Sequence, residues 1–264
     1  MRILLSNDDG VEAPGLRALA EVLSDLGEVV VCAPDREQSA TSHSISLHRP
    51  LRIEELPAWE GKPGRAPIRR YAVDGTPTDA VYLAVNHILK DKHPDLIASG
   101  INRGPNLAQD VHYSGTVAAA REGAILGYPA VAFSQVYRGE IDYSHAAAFA
   151  RVLIPEMMKR GLPKGTLLNV NVPAGEPNGA RPTRLGKRSY SAAVVQKMDP
   201  RGRAYYWIGG DEQAHERVAG SDCDAVYDDR FISVTPLHLD LTLEALVEEM
   251  RSWELPAHAP HLPR

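Results

Sequence analysis

Cysteine is scarce in this chain. Its 264 residues contain two, Cys32 and Cys223, too few for a disulfide framework and without the spacing of a metal finger. No apolar stretch is long enough to span a bilayer. The opening residues lack the basic, apolar and small-residue sections of a signal peptide, so a cytoplasmic protein with no membrane partner is expected. There is no long basic run, and the net charge is −5. Both argue against a dedicated nucleic-acid or membrane-surface binder. Several catalytic signatures are missing too. No G-x-x-x-x-G-K-[ST] segment supports a P-loop enzyme. No G-x-G-x-x-G follows the first apolar run, which weakens a dinucleotide oxidoreductase. No G-x-S-x-G supports a hydrolase elbow.

What remains is ordinary globular composition, with 44% hydrophobic and 24% charged residues, and a patterned first half. Ile3–Leu5 reads as a strand and Gly15–Leu26 as an amphipathic helix ended by Gly27. Val29–Val31 lies in a buried strand, Glu28–Ala33. Tyr71–Val73 is a strand, and Gly75-Thr76-Pro77-Thr78-Asp79 follows. There Thr76 is the expected N-cap, Pro77 the first helical residue and Asp79 the capping-box acid of a helix to Leu89. Leu96–Ala98, a helix over Thr116–Leu126 and a strand over Ala130–Phe133 continue the alternation. It implies an α/β fold, a mostly parallel sheet with helices on both faces.

The second half is less regular. Ala146–Arg160 reads as a helix, Leu167–Val172 and Phe231–Pro236 as strands, and Leu241–Trp253 as a final amphipathic helix. Ser189–Val195 and Ala204–Ile208 flank the turn signal Asp199-Pro200-Arg201-Gly202, which predicts a long hairpin arm over about 189–208. One α/β domain with an appendage fits this length as well as two domains, and no clean cut between them is evident.

Four loops are rich in oxygen or amide groups. Ser6-Asn7-Asp8-Asp9-Gly10 places two carboxylates where the first strand would end. Adjacent carboxylates repel unless a cation or proton offsets them, although Asp-Gly is also an ordinary turn signal. The second loop holds Ser39, the third Asn102 in a Gly-rich turn. The fourth is Tyr113-Ser114-Gly115-Thr116, before an Ala-rich helix. Asp, Ser and Asn are oxygen donors, suited to Mg²⁺, Mn²⁺ or Ca²⁺ rather than zinc. Ser114-Gly115-Thr116 at a helix start offers free N–H groups to an anion. A cation next to an anion site points to phosphate-ester chemistry. Asp8-Asp9 lacks the one-residue gap of aspartyl-phosphate phosphatases, so a metal-activated water is the better nucleophile candidate. Each loop also has a plain reading: a solvated Ser/Thr loop at Ser39, a turn at Asn102, helix caps at Ser114 and Thr116. His43, His48 and His112 show no ligand spacing.

Read in order, Ser6–Gly10, Pro34-Asp35-Arg36-Glu37-Gln38-Ser39, Gly75–Asp79, Ser99-Gly100-Ile101-Asn102-Arg103-Gly104 and Tyr113–Ala120 resemble the stationary-phase survival protein SurE family of metal-dependent nucleotidases. Val170–Pro173 and Val234–Leu237 extend the resemblance over essentially the whole chain. It implies hydrolysis of nucleoside monophosphates, with 3′-nucleotides and short polyphosphate as further substrates. It implies one Mg²⁺ or Mn²⁺ per subunit, held by Asp8, Asp9, Ser39 and Asn102. Phosphate would bind at Asn102, Ser114, Gly115 and Thr116. Asp8, Asp9 and Asn102 are the catalytic candidates, with the carboxylate that orients water left open. A single α/β domain over 1–264 is implied as well, with a Rossmann-like core and the metal site in 1–135 and with 136–264 completing the sheet and supplying the hairpin arm and C-terminal helix. So is a homodimer or homotetramer with exchanged C-terminal elements. Ala40 departs from the pattern, where Gly is expected. The competing reading is a non-catalytic nucleotide-binding regulator on the same fold.

Overall fold

The computed structural model describes residues 1–189, 194–208 and 214–253. The first strand, β1 (Arg2–Ser6), is buried along its whole length. Ile3 and Leu5 point into one apolar cluster and Leu4 into another. A strand covered on both faces needs an unbroken apolar run, which Ile3-Leu4-Leu5 supplies. Helix α1 (Pro14–Leu23) opens on Pro14 and buries Leu16, Leu19, Ala20 and Leu23. It leads to β2 (Glu28–Pro34). Strands β3 (Ile53–Trp59) and β4 (Ile68–Val73) follow. Helix α2 (Pro77–Leu83) starts with the expected capping box: the Thr76 hydroxyl accepts from Asp79 N, and the Asp79 carboxylate accepts from Thr76 N. It runs straight into a π-helical turn, Ala84–Ile88.

Then come β5 (Leu96–Arg103), α3 (Gly115–Ile125), β6 (Ala130–Gln135), α4 (Ser144–Arg160) and β7 (Thr166–Val172). Short strands β8 (Ala180–Pro182) and β9 (Lys187–Ser189) precede the hairpin of β10 (Val194–Met198) and β11 (Ala204–Ile208). The chain continues with β12 (Ala214–Glu216), β13 (Ile232–His238) and α5 (Glu244–Met250). Part of the hairpin's expected first arm, 190–193, and the end of the expected domain, 254–264, lie outside the described residues.

One nine-stranded sheet has the order β3-β4-β2-β1-β5-β6-β7-β13-β8. Neighbours from β4 to β7 are all parallel. β3 and β13 are antiparallel to β4 and β7 respectively, and β8 returns parallel to β13. α1 and α4 pack on one face, α2 and α3 on the other. The α/β expectation, with helices on both faces, is met. From β1 the chain winds outward through β2 and β4, then crosses back to β5 on the other side. That reversal between β1 and β5 opens a crevice at the strands' carboxyl ends, where open α/β sheets bind ligands.

Several boundaries differ from the sequence expectations. The first helix stops at Leu23 rather than Leu26, the residues after it closing in turns. The final helix is Glu244–Met250, shorter than Leu241–Trp253. Strands β3, β8 and β12 had no counterpart. Ser189, the expected start of the hairpin arm, instead ends β9 and pairs with Ala214 of β12. The hairpin's first strand is Val194–Met198 rather than Ser189–Val195. β3 contains Pro57 and a register shift between Leu56 and Trp59. β8, β9 and β12 have three residues each, too few to show a period.

Candidate active site

Asp8 and Asp9 leave β1 at the crevice. Gly10, at φ +101°, occupies a left-handed conformation that glycine tolerates best. Its carbonyl accepts from the buried Asn7 Nδ2 at 2.9 Å, which closes the turn under the two carboxylates. Asp8 is 7% exposed, and its Oδ1 accepts from the Thr116 hydroxyl. Burial pushes Asp8 up to about 6; the Asp9 charge adds to this, while the Thr116 hydroxyl and N–H oppose it. Asp9 is less buried, and its Oδ2 accepts from Arg103 N at 3.1 Å. Burial raises Asp9 as well. The Arg103 N–H and charge pull it down, and the Glu37 charge pushes it up.

Asn102 comes from the end of β5. Its Nδ2 donates to Gly104 O at 3.0 Å, which turns Oδ1 toward Thr116 Oγ1 at 3.2 Å. Thr116 thus stands between Asp8 Oδ1 and Asn102 Oδ1 with one hydroxyl proton for two acceptors. Ser114 caps α3 by accepting from Val117 N at 3.0 Å. Gly115 is required sterically: a Cβ there would lie 2.7 Å from Asp8 Cβ. The structure therefore brings Asp8, Asp9, Asn102, Gly115 and Thr116 together, with Ser114 at the same helix start.

Ser39 is placed differently. Its loop is tied to the site through Gln38 N, which donates to Asp8 O at 2.7 Å. Its hydroxyl, however, donates to Glu37. The loop is strapped down elsewhere. Ser42 N donates to Tyr113 O at 3.0 Å, Ser46 N to Asp79 Oδ1 at 2.8 Å, and Thr76 Oγ1 to Ser44 O at 2.7 Å. His43 Nε2 meets Glu122 Oε2 of α3 at 2.9 Å. His43 is thus a strap of the Ser39 loop, a role its sequence position did not reveal. Ala40 sits at φ +55°, where a glycine would carry no steric cost.

A buried amide network also escaped the sequence reading. Asn106 N donates to Asn171 Oδ1 at 2.7 Å, and Asn106 Nδ2 to Ser134 Oγ at 2.8 Å. Asn169 and Asn171 both donate to Asn106 O. This pins the turn that follows Asn102 to β6 and β7. The available signal was Asn at alternate positions of an otherwise apolar strand, since buried polar groups need partners.

The oxygen set of Asp8, Asp9 and Asn102, with Ser39 within loop reach, fits a hard divalent cation. Two neighbouring carboxylates, one nearly buried, and an amide oxygen competing for a single hydroxyl proton are what such an ion would satisfy. His215, Asp224 and Asp228 form another cluster, with ligand atoms within 4.8 Å of one another. There Arg217 Nε lies 3.4 Å from Asp228 Oδ2 and Val218 N donates to Asp224, so the acids already have partners. Both cysteines are buried and unpaired.

Fold and site define an α/β protein that gathers oxygen donors of the kind a hard cation takes and a helix start at a topological switch point, where phosphate groups can bind. A family model described as survival protein SurE matches residues 3–192, and the chain belongs to that family. It is 54% identical over 263 residues to the 5′-nucleotidase SurE of Myxococcus xanthus, covering 99% of this chain and 97% of that one. It is 56% identical over 260 residues to the protein of that name from Anaeromyxobacter dehalogenans, with 98% of each covered. The SurE crystal structure from Aquifex aeolicus matches with a TM-score of 0.79 and 40% identity, over 95% of this chain and 98% of that chain.

Proposed function

We propose that this protein is a metal-dependent 5′-nucleotidase that hydrolyses nucleoside monophosphates to nucleoside and phosphate, with 3′-nucleotides and short polyphosphate as secondary substrates. The observation that carries the reading is the meeting of Asp8, Asp9 and Asn102 at the start of α3, in a chain whose full-length relatives bear the nucleotidase name.

A bound Mg²⁺ or Mn²⁺, one per subunit, would be held by Asp8, Asp9, Asn102 and Ser39, and would supply Lewis-acid activation of the phosphoryl group and of water. Ser39 must leave Glu37 to join it. Thr116 holds Asp8 and Asn102 at a fixed spacing. Ser114 shapes the first turn of α3, so that Gly115 and Thr116 present the helix's positive end to the phosphate. Asn102 shares in phosphate binding. Asp9, less buried than Asp8 and tied among the described residues through Oδ2, keeps its other oxygen for orienting water. In hydrolysis the water oxygen bonds to phosphorus, the ester P–O bond breaks, and the water proton ends on the leaving alkoxide.

The outward side chains of β10 and β11 and the exposed α5 support a homodimer or homotetramer with exchanged C-terminal elements. No helix among the described residues is long and apolar enough to cross a membrane. The two free thiols fit a reducing compartment, and we place the protein's work in the cytoplasm. The test is AMP hydrolysis by the purified protein with chelator, then with added Mn²⁺ or Mg²⁺. Activity should vanish and return; an unchanged rate under chelator overturns the metal reading. Metal-stimulated AMP binding without phosphate release would favour the regulator instead.

A further inference from the structure

Arg103 follows Asn102 at the end of β5. Its backbone N–H is spent on Asp9, but its side chain serves nothing in the reading above. The guanidinium lies over the ring of Tyr137, with Cζ 5.4 Å from the centroid. Arg103 ends the β5–β6 ladder opposite Gln135, and Tyr137 lies just beyond β6, so the sheet itself brings cation and ring together. Among the described residues Arg103 is in no ion pair: the pairs of the site's flank join Arg36 to Asp35 and His43 to Glu122. Its charge acts on both Asp9 and the phenol of Tyr143.

We infer that Arg103, braced on Tyr137 at the mouth of the site, is the group that recognises the dianionic charge of the substrate's phosphate. This rests on the phosphate-ester reading. Asp8, Asp9 and Glu37 give the site three carboxylates. A divalent ion cancels two of them, and an incoming phosphate dianion still meets net negative charge. Arg103 supplies the missing positive charge on an exposed side chain that can reach outward. A guanidinium has the right shape for this, because its planar fork takes two phosphate oxygens and its face stacks on an aromatic ring. Tyr137 holds the fork in place at little entropic cost. The ligand class is therefore a terminal phosphate with two free negative charges.

The experiment uses the full-length protein with Mn²⁺. Arg103→Ala, Arg103→Lys and Tyr137→Leu are compared with the parent in AMP hydrolysis and in calorimetric titration with inorganic phosphate. Arg103→Ala should raise KM for AMP and the Kd for phosphate about tenfold or more, with a smaller change in kcat. Arg103→Lys should recover part of the loss, and Tyr137→Leu should move in the same direction by less. The Mn²⁺ concentration for half-maximal activity should stay put, because Arg103→Ala keeps the N–H that binds Asp9. Phosphate Kd and KM within about twofold of the parent in Arg103→Ala overturn the inference. So does a change confined to the metal requirement. If the parent binds phosphate but hydrolyses nothing, the nucleotidase reading fails, and the phosphate titration still decides the role of Arg103.

Discussion

Asp8 concentrates the chemistry of this site in one side chain. Its position, raised to about 6 from 3.8 by burial and the Asp9 charge, has a definite sign for the metal-free protein. The native state keeps a proton that the unfolded chain has released, so this contribution to stability is full below pH 3.8 and is lost as pH rises through about 6. A divalent ion bound there would displace the proton and remove the penalty. The rise in Tm on adding Mn²⁺ should therefore be larger at pH 8 than at pH 5. An equal rise at both, by differential scanning fluorimetry, would contradict the coupling. Gly115→Ala tests the same contact sterically. The new Cβ would lie 2.7 Å from Asp8 Cβ, so activity should fall about a hundredfold or more with the fold intact. A variant as active as the parent would show that Asp8 can shift freely. At Ala40, φ +55° costs about 1–2 kcal/mol for a residue with a Cβ. Ala40→Gly should raise stability in urea by up to about 1 kcal/mol, part of the relief being offset by chain entropy. The carboxylates, Asn102 and the start of α3 were legible because each lies at a strand end or helix start. The direction of the Ser39 hydroxyl was not, because a rotor chooses among neighbours that only the folded loop supplies. The roles of Arg103 and Asn106 were hidden likewise, since their partners lie on β6, β7 and the segment beyond β6.

At the scale of elements, local chemistry and tertiary packing divide the work. Thr76, Pro77 and Asp79 wrote the start of α2 into the sequence, and the capping box is there. Asp79 does more than cap: its other oxygen holds Ser46 N, so one side chain fixes a helix start and a distant loop. The long stretch between β2 and β3 was legible as polar and irregular. Its strapping to α2 and α3 was not, because that depends on which helices the sheet order places nearby. The His43–Glu122 contact of 2.9 Å is the side-chain strap from this loop to α3. Glu122→Ala should free His43 and loosen the loop that carries Ser39. The expected result is a Mn²⁺ requirement raised about threefold to tenfold, with near-parental kcat at saturating metal. Limited proteolysis should cut faster within 35–50. An unchanged metal requirement would mean that the backbone straps at Ser42 and Ser46 suffice alone.

At the scale of the whole molecule, the sheet covers its own core but leaves its C-terminal elements bare. Every residue of β10, β11 and α5 is outward or nearly so: Trp207 is 61% and Ile208 93% exposed, and α5 buries nothing. The register pairs Val195 with Trp207 and Lys197 with Tyr205 on one face of the hairpin. Val194 with Ile208 and Gln196 with Tyr206 lie on the other, so each face carries large apolar groups. An isolated two-stranded ribbon is marginal in water, and apolar surface of this kind is a contact site. The tip needs no partner: Asp199 Oδ1 accepts from Arg201 N and Arg203 N at 2.8 and 2.9 Å. Assembly should therefore depend on the arms rather than the turn. A second copy would answer both bare faces, because exchange of identical elements would let each hairpin lie against the other subunit. Light scattering at micromolar concentration should give at least twice the mass of one 28.8 kDa chain. Replacing Tyr206 and Trp207 together with Ser should lower that mass, while far-ultraviolet circular dichroism keeps its α/β shape because the main core is untouched. A parent protein that stays at the mass of one chain would refute the assembly, and the hairpin would then need a different cover.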